Sequence, residues 1–160
     1  MVAWVKIDDT NINYPILQGE DNYEYLNKDC YDENNLIGSI FLDADNEKDF
    51  SDDYNLVYGH NFNNIMLGNL HMFKDEKYFN EHRDGKLVVN EKEYRLKSFA
   101  FLKIEGDDEQ IFKAKEGNLN YIRNRALIFE EPVGDRFLAL TICINSETID
   151  RWVLICEIVD

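Results

Sequence analysis

With 160 residues, 44% of them hydrophobic and 13% aromatic, the chain can bury a substantial core and has the size of one domain, 1–160. Its 17 basic and 32 acidic side chains leave a formal charge of −15, which opposes the phosphate backbone of nucleic acid and anionic lipid headgroups and excludes both as expected partners. No apolar run reaches the roughly 20 residues of a membrane-spanning helix, and Cys30, Cys143 and Cys156 form neither an even disulfide framework nor a zinc-ligand spacing, so no metal or other cofactor is expected and at least one thiol is free.

The chain opens directly on a strand pattern, with no signal-peptide pattern in its first seven residues. As it stands it is expected to be soluble, with any membrane anchor lying ahead of Met1. Stretches rich in β-branched and aromatic residues predict strands at Trp4–Ile7, Ile37–Leu42, Tyr54–Tyr58, Lys86–Val89, Glu93–Leu102, Arg136–Ile142 and Trp152–Val159. Met66, Leu70 and Phe73 share a helical face, and Asp75 caps a second short turn leading to Tyr78 and Phe79. A third helix is predicted over Leu119–Leu127, capped by Asn118 and covering one end of the β core. Many short strands with few helices make the fold mainly β, a barrel or a sandwich. Asp43 to Glu47 has the look of the start of a calcium loop. Lys48 stands where such a loop needs glycine and Tyr54 where it needs glutamate, so calcium is not expected there. The acidic surface as a whole reads as a solvated face.

The chemistry concentrates where Cys143 ends one predicted strand and Arg151 begins the next. A short connection makes the pair antiparallel, and opposite residues in such a pair lie about 5 Å apart at Cβ. A guanidinium there favours a thiolate and an oxyanion alike. Cys143 shares parity with Phe137, Ala139 and Thr141, a face that reads as a groove floor, while Leu138, Leu140 and Ile142 point the other way. By itself a cysteine near a strand end is more often a small buried apolar residue. Cys156, inside Trp152-Val153-Leu154-Ile155-Cys156, fits that description. His60 follows a strand in Tyr58-Gly59-His60-Asn61, where glycine permits a sharp exit and lifts the imidazole onto the sheet rim. His71 and His82, in or beside helical segments, read as simply exposed.

Tyr58-Gly59-His60-Asn61, followed by Met66-Leu67-Gly68-Asn69-Leu70, resembles the histidine segment of class B sortases. Ala139-Leu140-Thr141-Ile142-Cys143 is similar to their Thr-Leu-x-Thr-Cys signature, and the spacing to Arg151 matches. Further similarity runs through Trp4-Val5-Lys6-Ile7, Asn13-Tyr14-Pro15-Ile16-Leu17-Gln18-Gly19, Asn22, Tyr25-Leu26-Asn27 and Gly38-Ser39-Ile40-Phe41-Leu42-Asp43. Ala139 and Ile142 depart from the two signature threonines.

The resemblance implies a closed β-barrel of about eight strands with short peripheral helices. It also implies a cysteine transpeptidase on the outer face of the plasma membrane, held there by an N-terminal anchor. Its partners would be the C-terminal sorting-signal peptide of a secreted surface protein, cleaved after threonine, and an amine of the peptidoglycan cross-bridge. Carried over residue by residue, Cys143 is the nucleophile, His60 the proton carrier and Arg151 the oxyanion donor. Asn22 and Leu26 would form the groove wall, Thr141 its floor, and the segment before Arg136 a mobile lid. A noncatalytic binding domain on the same barrel, favoured by the altered signature, and a hydrolytic protease are the rival readings.

Overall fold

The computed structural model describes residues 1–28, 31, 33–35, 38–62, 65–143 and 148–160, and leaves the side chains of Phe62 and Cys143 undescribed. Cys30, the start of the predicted strand at Ile37, the 144–147 connection and the Cys143 side chain therefore lie outside the described residues. In chain order the strands among those described are β1 (Ala3–Ile7), β2 (Asn13–Ile16), β3 (Phe41–Leu42), β4 (Tyr54–Gly59), β5 (Asn61–Phe62), β6 (Ile65–Met66), β7 (Asp84–Val89), β8 (Lys92–Glu105), β9 (Ile128–Phe129), β10 (Phe137–Cys143) and β11 (Asp150–Val159). Eight of them lie side by side in the order β2-β1-β7-β8-β11-β10-β4-β3. Of the others, β5 and β6 form a small hairpin after β4, and β9 pairs with β8.

The two outer members of that order meet through residues beside them. Leu17 just past β2 bridges Phe41 in parallel, with Leu17 N donating to Ile40 O at 3.0 Å and Leu42 N to Leu17 O at 2.8 Å. The sheet thereby closes into a nearly complete barrel, which removes the open edges of a flat sheet. The sequence reading missed β2 because Pro15 argues against a central strand; β2 pairs along its length with β1 alone, a position that tolerates proline. Between β7 and β8 the chain reverses through Asn90 and Glu91, both at positive φ, the backbone of a tight hairpin turn.

Alternation along β10 divides the interior into two cores. Leu138, Leu140 and Ile142 pack inside the barrel with Val57, Phe101, Leu154 and Cys156, closed by Leu70, Phe73 and Phe79 from the helical segments. The first of these segments forms as a 3-10 turn, Gly68–Lys74, and Met66 is left in β6 at positive φ. The second is helix α1 (Glu76–Glu81), capped by Asp75, which accepts from Tyr78 N at 2.8 Å. Phe137 and Ala139 face outward, against Tyr54, Leu56, Phe99, Val153 and Ile155. This corrects the expected groove floor: Phe137 and Ala139 are buried under helix α2 (Leu119–Arg125) and the chain leading to it, because that wall of the barrel is apolar on both faces. The same packing corrects the placement of α2, which covers the barrel's flank rather than its end. Asn118 caps it as expected, accepting from Tyr121 N at 3.0 Å.

Candidate active site

Three neighbouring strands deliver the candidate residues to one rim. β4 runs parallel to β10 with Ile142 opposite Gly59, so the next residue on each strand is Cys143 and His60. β11 runs antiparallel to β10 with Cys143 opposite Arg151. The backbones at 60, 143 and 151 therefore sit at the same end of three adjacent strands, which is why residues so distant in sequence meet.

Beside that rim opens a cavity of about 290 Å³ lined by Asn22, Leu26, His60, Thr141 and Arg151, together with Tyr23, Phe41, Tyr58, Gly106, Phe112 and Ile142. Five of the six predicted site residues share it. Thr141 is 1% exposed, and its Oγ1 has no hydrogen-bond partner among the described residues. A buried hydroxyl in that state costs free energy until a polar group reaches it. Arg151 Nη1 donates to the main-chain oxygens of Ile149 at 2.9 Å and Asp150 at 3.3 Å. Among the described residues these are the hydrogen bonds of Arg151, and they steady at the cavity a planar guanidinium that carries five donors in all.

Gly106 lies against that guanidinium. A Cβ there would come within 2.8 Å of Ile149 O and 3.2 Å of Arg151 Cζ. Gly106→Ala is therefore expected to displace the arginine and cut turnover about tenfold or more, as small misplacements of a reacting group do. Steady-state kinetics of the folded variant measure this.

His60 Nε2 is 2.8 Å from the main-chain oxygen of Leu26. Gly59 is needed for room rather than for a left-handed exit: its φ is not positive, and an added Cβ would lie 2.9 Å from Leu67 Cδ1. His71 and His82 are not simply exposed. Both are half-buried, with Nδ1 at 2.8 Å from Gly68 O and Tyr78 O respectively, and His82 stacks on Tyr78.

Asn22 serves chiefly as a strut. Its Nδ2 donates to Asp43 Oδ2 at 3.0 Å and its Oδ1 accepts from Ala44 N at 2.7 Å. Asp43 is the residue that sequence reasoning missed. Only 5% exposed, its carboxylate also accepts from Tyr58 Oη at 2.8 Å and Asp45 N at 2.9 Å. Burial first, and then the Asp43 charge, raise the Tyr58 phenol well above its ordinary range, so it remains a neutral donor. The only sequence signal was the position of Asp43 at the end of Gly38-Ser39-Ile40-Phe41-Leu42-Asp43. The lid also needs correction. Val133 N and Gly134 N donate to Glu157 at the far end of β10 from Cys143, so the chain just before Arg136 does not border the cavity, whereas Gly106 and Phe112 do.

Ile142, 1% exposed, packs in the barrel core at the base of this cavity. Ile142→Thr is expected to lower the melting temperature, by placing a hydroxyl worth about 1 to 3 kcal/mol of desolvation in apolar surroundings, without raising turnover. A thermal melt and an activity assay on one preparation check both halves.

No protein-family model matches the chain. Sortase B of Staphylococcus aureus is 29% identical over 99% of this chain and 70% of the relative. A class B sortase of Streptococcus pyogenes involved in pilus biogenesis superposes with a TM-score of 0.90 at 32% identity, over 98% of this chain and 91% of that one. Structures of sortase B solved as a substrate complex, from S. aureus, and with a triglycine ligand superpose over 99% of this chain and 79% and 80% of theirs, at a TM-score of 0.89 and 27% identity. Similarity in sequence and fold together, along nearly the full length of this chain and of the S. pyogenes enzyme, shows that this chain belongs to the class B sortases.

Proposed function

We propose that the chain is a cysteine transpeptidase that cleaves a sorting-signal peptide after threonine and passes the acyl fragment to an amine. The observation that carries this reading is the convergence of residues 60, 143 and 151 on one rim beside the cavity. In the first half-reaction the Cys143 sulfur adds to the threonine carbonyl carbon, and Arg151 donates to the oxyanion that forms. Collapse breaks the carbon–nitrogen bond as His60 gives a proton to the departing amine, leaving a thioester. In the second, an incoming amine adds to the thioester, His60 takes its proton, and the carbon–sulfur bond breaks to free Cys143.

The cavity suits an extended peptide. Leu26, Phe41, Tyr58 and Phe112 offer apolar walls, and the Thr141 hydroxyl, without a partner among the described residues, can take a polar group of the substrate. The substrate and triglycine complexes of the sortase B relatives support a peptide donor and an amine acceptor here. The natural donor would be a secreted surface protein and the acceptor a peptidoglycan cross-bridge amine. We place 1–160 as one catalytic domain at the outer face of the plasma membrane, held by an anchor ahead of Met1. No helix among the described residues is long and apolar enough to cross a membrane.

A pentapeptide library with threonine fixed at the fourth position, incubated with and without triglycine, tests the reaction. Amine-linked product after threonine supports transpeptidation. Hydrolysis that added amine cannot divert would make the chain a protease, and binding without cleavage would make it a binding domain.

A further inference from the structure

The three described histidines differ in how their rings are held. A carbonyl oxygen only accepts, so the ring nitrogen facing it must carry the proton when the imidazole is neutral. His71 and His82 face carbonyls through Nδ1. His60 faces one through Nε2. The carbonyl in question, Leu26 O, is itself held in a crowded place. Gly38 adopts φ 67, and a Cβ on it would lie 2.3 Å from Leu26 O and 2.9 Å from Tyr25 O. Ser39 then ties the same segment from below, its N donating to Tyr25 O at 3.1 Å and its Oγ to Lys28 O at 2.8 Å.

We infer that the main-chain carbonyl of Leu26 is the group that orients His60, leaving Nδ1 as the nitrogen that gives and takes the catalytic proton, and that Gly38 is a positioning residue that makes room for this carbonyl. The inference rests on the transpeptidase reading only for the identity of the proton's destination; the tautomer itself does not depend on it. In many acid–base sites a carboxylate or amide side chain fixes the histidine. A backbone carbonyl does so without a second charge beside the arginine. Any side chain at 38 that pushes on Leu26 O would loosen the imidazole.

The test uses the chain labelled with ¹⁵N-histidine, at a pH well above the ordinary imidazole range. The expected spectrum has the proton on Nε2 of His60 and on Nδ1 of His71 and His82. A His60 with its proton on Nδ1, or averaging between the two tautomers, would overturn the inference. Gly38→Asn is the chosen variant, since asparagine tolerates positive φ while its Cβ still meets Leu26 O. It should leave the His71 and His82 signals in place, move His60 to a mixture of tautomers, and lower kcat roughly tenfold or more with KM changed by less than about twofold. Unchanged His60 signals and kcat in this variant would remove Gly38 from the account. Should Gly38→Asn fail to fold, seen as loss of the His71 and His82 signatures, the wild-type tautomer still decides the role of Leu26 and the smaller Gly38→Ala supplies the comparison. A wild-type chain with the expected tautomer but no acyl transfer would defeat the function and leave the orientation standing. Transfer with the opposite tautomer would do the reverse.

Discussion

Cys143→Ala is expected to abolish turnover and every trace of a thioacyl adduct, while Cys156→Ala keeps both. The contrast follows from where each cysteine sits. Cys143 ends β10 opposite Arg151, at the rim where the cavity opens. Cys156 is fully buried in the barrel core, with Sγ 3.3 Å from Ser98 Oγ. Burial pushes its thiol up to about 12, the Ser98 contact offsetting only part of that rise. At neutral pH Cys156 therefore has almost no thiolate and no path to a substrate, and the thiolate is the reactive form. Alkylation of the native protein with a thiol reagent, followed by peptide mapping, and activity assays of both variants check this. A folded Cys143→Ala variant that still turned over would remove the nucleophile from the account.

Arg151→Lys is expected to lower kcat by about 10²-fold or more while substrate binding changes less. Lysine keeps the charge but loses the planar fork, and with it the arrangement in which Nη1 is held on Ile149 O and Asp150 O at the wall of the cavity. An oxyanion forms only after attack, so a donor aimed at it acts on the transition state more than on the ground state. Full activity in the lysine variant would show that charge alone suffices. Separate kcat and KM values for a threonine-containing peptide decide between the two.

How much of this could be read in the sequence depended on distance along the chain. Alternation made β10 and β11 legible, and with them the pairing of Cys143 and Arg151, because both belong to one antiparallel pair. His60 was legible through its motif, but its carbonyl partner lies 34 residues away in a segment without regular structure. No local pattern announces such a contact. The outward face of β10 was misjudged for a related reason: alternation separates two faces but does not tell an open groove from a second core, and only the packing of α2 decides for Phe137 and Ala139. Asp43 looked like one more acid on an acidic surface. Its burial depends on Tyr58 and Asn22 converging from β4 and the loop after β2, which composition does not record. Of the strand predicted from Ile37, the described part that pairs is β3, Phe41–Leu42, against β4, and Gly38 at positive φ breaks the extended backbone ahead of it, a backbone choice that the β-rich composition of the stretch does not record.

The most direct test of the account is the intact mass of the protein after reaction with a peptide carrying threonine at the fourth position, before and after addition of triglycine. A mass gain equal to the acyl fragment is expected, mapped to Cys143, and it disappears as the amine-linked peptide is released. Cleavage without any such adduct on Cys143, or an adduct on another residue, would contradict it.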